Sequence, residues 1–424
     1  MQSFDTATPR TATQRLSTTC CIAGGGPAGM MLGLLLARAG VAVTVLEKHA
    51  DFLRDFRGDT IHPSTLAVVE DLDLLDRFLA LPHQLVETLH ADVYGHELTI
   101  ADFRHLPVAS PFLALMPQWD FLDFLAREAA RWPGFRLLMD TEATGLIEED
   151  GRITGLRAEG AQGSLEVASD LVVGADGRTS AVRAAASLAT VELGAPMDVL
   201  WFRLPRDTHG VVRQTGGYVR PGLFLVTIDR GDYWQCGFVI AKGSLAERKA
   251  RGLDAFKDDI VRTAPFLAEA TRELRSWDEV KLLTVQVNRM PRWYRDGLLC
   301  IGDAAHAMSP VGGVGINLAI QDAVAAANRL AVPLRERRVG NDDLAAVQRR
   351  REWPTRVTQR IQIAVQNEVL APVLARGADG SAKDPPSLPM PLRLLQRWPG
   401  LNRVPARMVG MGVRPERVRS PASG

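Results

Sequence analysis

Residues 20–48 read CCIAGGGPAGMMLGLLLARAGVAVTVLEK. A short apolar run, Cys20 to Ala23, enters a cluster of glycines. Ala28 to Ala39 is built from good helix formers, and Gly40 stands where a helix C-terminal cap is expected. Val41 to Leu46 is β-branched and apolar, which suits a strand buried on both faces. The order strand, tight turn, helix, strand is a βαβ unit. Gly24, Gly26 and Gly29 form G-x-G-x-x-G in the context that gives the motif its meaning. Gly24 allows the tight turn, Gly26 lets backbone approach a pyrophosphate, and Gly29 lets helix and strand pack closely. The helix that starts at Pro27 offers free N–H groups, from Ala28 onward, and partial positive charge to an anion. Glu47, with Lys48 after it, ends the second strand about twenty residues on, where a carboxylate grips the ribose hydroxyls of an adenosine. A 2′-phosphate would be repelled there, so this unit is predicted to hold FAD or NAD and not NADP.

Two later segments repeat the theme. LVVGADGRTSAVR, residues 171–183, is a buried strand followed by the turn Asp176-Gly177 and a short helix. Asp-Gly turns are common, and alone this one reads as structural. GLLCIGDAAHAMSPVGGVGINLAIQDA, residues 297–323, is a strand ending in Gly302-Asp303. Asp303 is placed to accept hydrogen bonds from a polyol. Pro310 and the run Gly312-Gly313-Val314-Gly315 forbid a regular helix until Ile316 and Asn317, whose helix start suits negative charge on a bound ring. His306, in an Ala-rich turn, reads as a packed structural residue.

The chain of 424 residues suggests two or three domains. With 50 Lys and Arg against 49 Asp and Glu, its net charge of +1 gives no reason to bind nucleic acid. Cys20, Cys21, Cys236 and Cys300 contain no C-x-x-C pair, so no zinc ribbon and no metal site is expected; they read as buried residues of a reducing cytoplasm. No early run is long enough to span a bilayer or act as a secretory signal. Residues 1–18 read as a flexible leader. STLAVVEDLDLLDRFLALP is predicted as a helix stopping at Pro82, and QWDFLDFLAREAAR, residues 118–131, as another. Asp150-Gly151 signals a hairpin. Residues 188–281 alternate aromatic and polar stretches, which predicts an antiparallel sheet. A long helix from about Ile316 is followed by an Arg-rich, then Pro-rich, tail. RLLQRWPGLNRVPARMVGMGV, residues 393–413, mixes Arg with apolar residues as a membrane-surface segment does, but its two prolines favour packing onto the first domain.

Together, in this order, the three glycine- and aspartate-bearing segments resemble the single-component FAD-dependent aromatic hydroxylases, the para-hydroxybenzoate hydroxylase-like flavoprotein monooxygenases. The likeness runs from about residue 20 to 330, and the tail GVRPERV resembles many bacterial members. It implies an α/β protein: a Rossmann-like FAD-binding domain of the GR2 type, a βαβ unit with interleaved segments, beside a mixed or antiparallel-sheet substrate domain and a C-terminal helical segment. The expected division is 19–75, 115–187 and 286–335 for FAD, 76–114 and 188–285 for substrate, and 336–424 for helices and tail. No second G-x-G-x-x-G stands between strand and helix, which fits a family whose NAD(P)H has no Rossmann domain of its own.

The resemblance also implies roles. Gly24, Gly26, Pro27, Ala28, Gly29, Glu47 and Lys48 would bind the ADP half of FAD. Arg57 and Gln118 would lie along the ribityl-pyrophosphate chain, Asp303 on the ribityl, and Asp176 near FAD and the reduced nicotinamide. Pro310, Gly313, Val314, Gly315, Ile316 and Asn317 would border the isoalloxazine. NADH or NADPH would reduce FAD. O2 would then form a C4a-hydroperoxide that passes one oxygen to an aromatic or polyketide-like small molecule. Trp201, Tyr218, Phe224 and Trp234 are candidate pocket residues. Asp59, His62, Arg203 and His209 have side chains able to polarise a phenol, and no catalytic base is assigned. The competing readings are a reductase of the same fold that does not use O2, and an FAD-binding module without catalysis. The expected protein is cytoplasmic, a monomer or homodimer, without stable membrane insertion.

Overall fold

The computed structural model describes residues 13–53, 60–206, 215–375 and 388–422. Five parallel strands form its centre: Gln14–Ala23, Val43–Leu46, Phe135–Leu138, Gly163–Gly174 and Leu298–Cys300. Numbered in chain order they lie 3-2-1-4-5 across the sheet, as in a dinucleotide-binding fold. Val43–Leu46 is buried throughout, as its unbroken apolar run requires. Gly163–Gly174 also pairs antiparallel, through its first half, with Arg152–Gly160. The latter makes a hairpin with Thr141–Glu149, closed by Asp150 and Gly151, both at positive φ.

Helix α1 (Pro27–Arg38) buries everything from Ala28 to Ala37. The chain continues through α2 (Pro63–Asp71), α3 (Leu75–Leu79), α4 (Gln118–Ala129) and α5 (Ala181–Ala185). Then come α6 (Leu245–Ala250), α7 (Leu253–Thr263), α8 (Gly315–Arg335) and α9 (Asn341–Val365). The tail adds α10 (Ala371–Ala375), α11 (Met390–Arg397) and α12 (Arg403–Gly410). α1 packs against α8 and α4. No helix among the described residues is long and apolar enough to cross a membrane.

A second, seven-stranded sheet has the order Lys281–Leu283, Met197–Pro205, Tyr233–Ala241, Leu223–Asp229, Gly216–Arg220, Thr88–Val93, His96–Asp102. All neighbours are antiparallel except Gly216–Arg220 and Thr88–Val93, so this sheet is mixed. One face carries Leu200, Phe202, Leu225, Trp234 and Phe238, covered by Phe256 and Ile260 of α7. The other carries Val199, Trp201, Phe224 and Val239, which meet Val311 and Leu370.

Three expectations are corrected. The first strand begins at Gln14, inside the supposed leader. Gln14–Thr18 pair with Leu165–Ser169, because the long hairpin arm extends the sheet to meet them. The helix expected to run unbroken to Pro82 breaks between α2 and α3 at Asp73, whose φ of 57° leaves the helical region. The tail is corrected in part: α11 and α12 pack against the edge strand His96–Asp102 of the second sheet, while the end of α12 also meets the first domain as expected, where the Val409 carbonyl lies 2.7 Å from His62 Nδ1. Helices laid over an edge strand shield its unpaired backbone groups.

Candidate functional site

The predicted cofactor residues lie just beyond the carboxyl ends of four of the parallel strands. Gly24 follows Ala23, Glu47 follows Leu46, Asp176 stands two residues after Gly174, and Asp303 three after Cys300. In an open α/β sheet this is the ligand-binding edge. The turns touch one another in series. The Gly25 N–H donates to Glu47 Oε2 (2.9 Å), and the other carboxylate oxygen accepts the His49 N–H (3.1 Å). A Cβ on Gly24 would stand 2.4 Å from the Ala175 carbonyl oxygen, just before Asp176. One on Gly302 would touch Ala28 at 3.2 Å. Arg178 Nε donates to Asp303 (3.2 Å), and Arg183 donates to the Ala304 carbonyl (2.7 Å) and the Arg178 carbonyl (2.6 Å). Glu47 and Asp303 therefore face a common edge.

Side-chain chemistry and space at this edge fit an adenine dinucleotide. A Cβ on Gly29 would fall 1.9 Å from the Gly24 carbonyl oxygen, so only glycine lets α1 start so close to the strand. A Cβ on Gly26 meets nothing within 4 Å, so the N-terminus of α1 is open in front. Neither α1 nor α8 has a side-chain cap or an acidic residue in its first turn, which leaves both sets of N–H groups for an anion. Asp176 Oδ2 accepts the Val182 N–H at the start of α5 (3.1 Å), while Oδ1 is buried without a partner. Lys48 is exposed beside the edge, and Gln118 opens α4 half-buried. Arg57, Asp59 and His209 lie outside the described residues.

The turn from Pro310 to Gly315 is held from below. Gly312 and Gly313 take φ of 79° and 63°, and a Cβ on Gly313 would lie 2.7 Å from Thr60 Oγ1. Asn317 Oδ1 accepts from the His62 N–H (3.0 Å) and Thr65 Oγ1 (2.6 Å), which ties the start of α8 to the start of α2. His62 is fully buried. Its Nδ1 lies 2.7 Å from the Val409 carbonyl, which can only accept, so Nδ1 carries the proton and Nε2 is a bare acceptor. Burial pushes this imidazole down to about 4, against the opposing pull of the Val409 carbonyl.

His306 is not a lone residue. Its Nε2 is 2.6 Å from Asp322 Oδ2, which also accepts the Gly302 N–H (3.1 Å). Arg351 Nε donates to the other oxygen of Asp322 (2.9 Å), and Arg351 in turn meets Glu416 (3.5 Å). All four side chains are buried. Burial alone would raise the Asp322 carboxyl, but His306 and Arg351 outweigh it and hold the group below the ordinary carboxylate value. This centre fixes Gly302, and so the turn that carries Asp303. The sequence does not reveal it, because Arg351 and Glu416 belong to an Arg-rich, then Pro-rich tail in which no motif pairs them with Asp322.

Strand alternation divides the pocket candidates. Trp201 and Phe224 lie on the face that meets Val311, and a Cβ on Gly237 would touch the Trp201 ring at 3.0 Å, so glycine there makes room for it. Tyr218 and Trp234 point the other way and pack on Phe266, with centroids 5.4 and 5.7 Å apart. They belong to the core under α7, so their assignment to the pocket is corrected; alternation reveals two faces but not which one meets the neighbouring domain. Arg203 is exposed, its guanidinium 4.8 Å from the Tyr233 ring centroid. The four cysteines are buried and unpaired.

Known proteins match the chain over most of its length. The family model described as FAD binding domain matches residues 17–361. The 6-methylpretetramide 4-monooxygenase of Streptomyces rimosus is 34% identical over 420 residues, 98% of this chain and 97% of that protein. Among solved structures, Pseudomonas aeruginosa PqsL in complex with 2-aminobenzoylacetate matches with a TM-score of 0.72 at 23% identity, covering 85% of this chain and 97% of that one. The OxyS anhydrotetracycline hydroxylase of Streptomyces rimosus matches with a TM-score of 0.71 at 21% identity, covering 93% of this chain and 76% of that one.

Proposed function

The chain belongs to the FAD-binding domain family and is an FAD-dependent monooxygenase, and on that premise we propose that it hydroxylates a fused-ring aromatic of the polyketide type. The observation that carries the substrate class is the 34% identity to the 6-methylpretetramide 4-monooxygenase along nearly the whole of both chains. Bound FAD supplies reduction by NAD(P)H and activation of O2; the protein supplies binding, orientation and electrostatics.

In this reading the turn Gly24–Gly29 and the open start of α1 hold the pyrophosphate, Glu47 the adenosine ribose and Asp303 the ribityl chain. The residue assignment rests on their common edge and on the close approaches that only glycine allows. The backbone N–H groups at Ile316 and Asn317, at the uncapped start of α8, stabilise negative charge on the ring that the Pro310–Gly315 turn borders. Trp201 and Phe224 form an apolar floor opposite that turn, suited to a flat substrate and to exclusion of water. Segments 19–75, 115–187 and 286–335 then serve the cofactor, and 76–114 with 188–285 the substrate. The division follows the eight- and seven-stranded sheets they supply.

The test is NAD(P)H consumption by the FAD-loaded protein across phenols, anthraquinones and linear tetracyclic polyketides, with product mass. A mass gain of one oxygen, with O2 uptake matching NAD(P)H, is expected for a tetracyclic or related fused-ring substrate. Oxygenation of simple phenols alone would overturn the substrate class. Substrate turnover without O2 would overturn the reaction.

A further inference from the structure

α9 buries a polar seam. Gln348, Arg351, Thr355, Gln359 and Gln362 recur at intervals of three and four, and Gln366 continues the row in a π-helical turn, Gln366–Leu370. None of the six is more than 9% exposed. Buried polar side chains are costly unless each is used. Arg351 is used on Asp322 and Glu416 and Thr355 Oγ1 has no partner, but the four glutamines serve the 288–293 and 307–311 stretches. Gln359 Nε2 donates to the carbonyls of Asn288 (2.7 Å) and Ala307 (3.1 Å). Gln362 Nε2 donates to those of Ser309 (2.9 Å) and Val311 (2.8 Å), one on each side of Pro310. Gln366 Nε2 donates to Ser309 Oγ (2.6 Å), which itself accepts the Val311 N–H (3.2 Å). The Oε1 atoms of Gln362 and Gln366 are buried without a partner, so each amide is kept for what it donates, at some expense in stability.

We infer that Gln362 and Gln366 are positioning residues of the oxygenation site. They grip the chain on both sides of Pro310 and set the height of the Pro310–Gly315 turn over the Trp201 floor. The inference rests on the reading of that turn as the border of the flavin ring. Loss of the grip lets the turn drift, and a displacement of about 1 Å at a reacting centre costs up to about a hundredfold in rate. Water also enters, and reducing equivalents are lost to H2O2 instead of product.

Gln348 supplies an internal control. It lies on the same helix and the same seam, and it is equally tied to backbone. It accepts the Trp293 N–H (2.9 Å) and donates to the Pro291 carbonyl (2.8 Å), remote in sequence from the turn. Q362L, Q366L and Q348L are compared with the wild type in the FAD-loaded full chain. The readouts are H2O2 formed per NAD(P)H consumed, the visible flavin spectrum, Tm, and amide hydrogen exchange in the FAD-free protein. Q362L is expected to lower product kcat by about tenfold or more while KM for NAD(P)H changes little. Its H2O2 share should rise, and exchange should quicken at Val311–Gly315. Q366L, which removes a single hydrogen bond, should do the same to a smaller degree and still fold. Q348L should lose a comparable amount of Tm, with faster exchange near Trp293 and unchanged coupling. Equal uncoupling by Q348L, or wild-type coupling and unchanged exchange at the turn in both Q362L and Q366L, would overturn the inference. A wild type that binds no FAD would overturn the functional reading instead, and the exchange measurement would still decide the grip.

Discussion

α1 and α9 reach the two ends of one site with opposite surfaces. α1 buries Met, Leu, Ala and Gly, and it positions its turn by close approach: at Gly29 there is no room for even a methyl group. α9 buries Gln, Arg and Thr, and it positions its turn by hydrogen bonds from long side chains. Close approach suits a turn that must sit on a strand. Hydrogen bonds suit an irregular segment such as 309–311, where Gln362 supplies donors to the Ser309 and Val311 carbonyls. Contact and reach are alternative ways to fix backbone, and they should fail differently when altered.

The largest failure is expected on the contact side. G29A would press a methyl group onto the Gly24 carbonyl, with backbone on both sides and no flexible atom to yield. It should cost more than about 3 kcal/mol, read as loss of FAD retention and a large fall in Tm. If G29A retains FAD with near-normal stability, close approach is not what holds α1. On the reach side, R351M would leave Asp322 buried with only His306 and the Gly302 N–H. Breaking such a pair should cost about 3 kcal/mol in urea denaturation.

Acid provides a milder test, at His62 beneath the Pro310–Gly315 turn. His62 titrates near 4 in the folded protein against an ordinary value of 6.5, so the unfolded chain binds more protons throughout that interval. Its contribution is complete above 6.5 and is lost as pH falls toward 4. Going from pH 7 to 5 should lower stability by about 2 kcal/mol, and H62Q should flatten that slope. Asp322, held below the ordinary carboxylate value, acts only in stronger acid. A slope unchanged in H62Q would assign the acid sensitivity elsewhere. The smallest effect should come from the outer face of α9 itself. Glu352 meets Arg356 at i, i+4 in partial exposure, and E352A should cost less than about 0.5 kcal/mol. A larger loss would mean that inner and outer polar faces of this helix do not differ as described.

This contrast explains what was legible in the sequence. The βαβ unit, Glu47 and the aspartate turns could be read because glycine spacing and apolar runs each have one common cause. The seam of α9 could not, since Gln and Arg at helical spacing look the same on a solvent face as on a buried one. The signal that could have revealed it is local: the 305–315 stretch, with its glycines and proline, needs outside donors, and the second long helix after it is rich in glutamine. Trp201 and Tyr218 were equally plausible as pocket residues because their strands alternate cleanly. Only the packing of α7 on one face separates them. The early start of the first strand at Gln14 was hidden for a related reason: polar residues extend a strand when a long neighbour offers the pairing.

Translation runs in one direction, and the Asp322–Arg351–Glu416 centre is assembled across it. Glu416 emerges 65 residues after the guanidinium it meets. A nascent chain can wind α8 and α9 and join Asp322 to Arg351, yet the second carboxylate is still unmade. The turn bearing Asp303 therefore gains its full electrostatic support only once residue 416 has been made and has folded back onto α9.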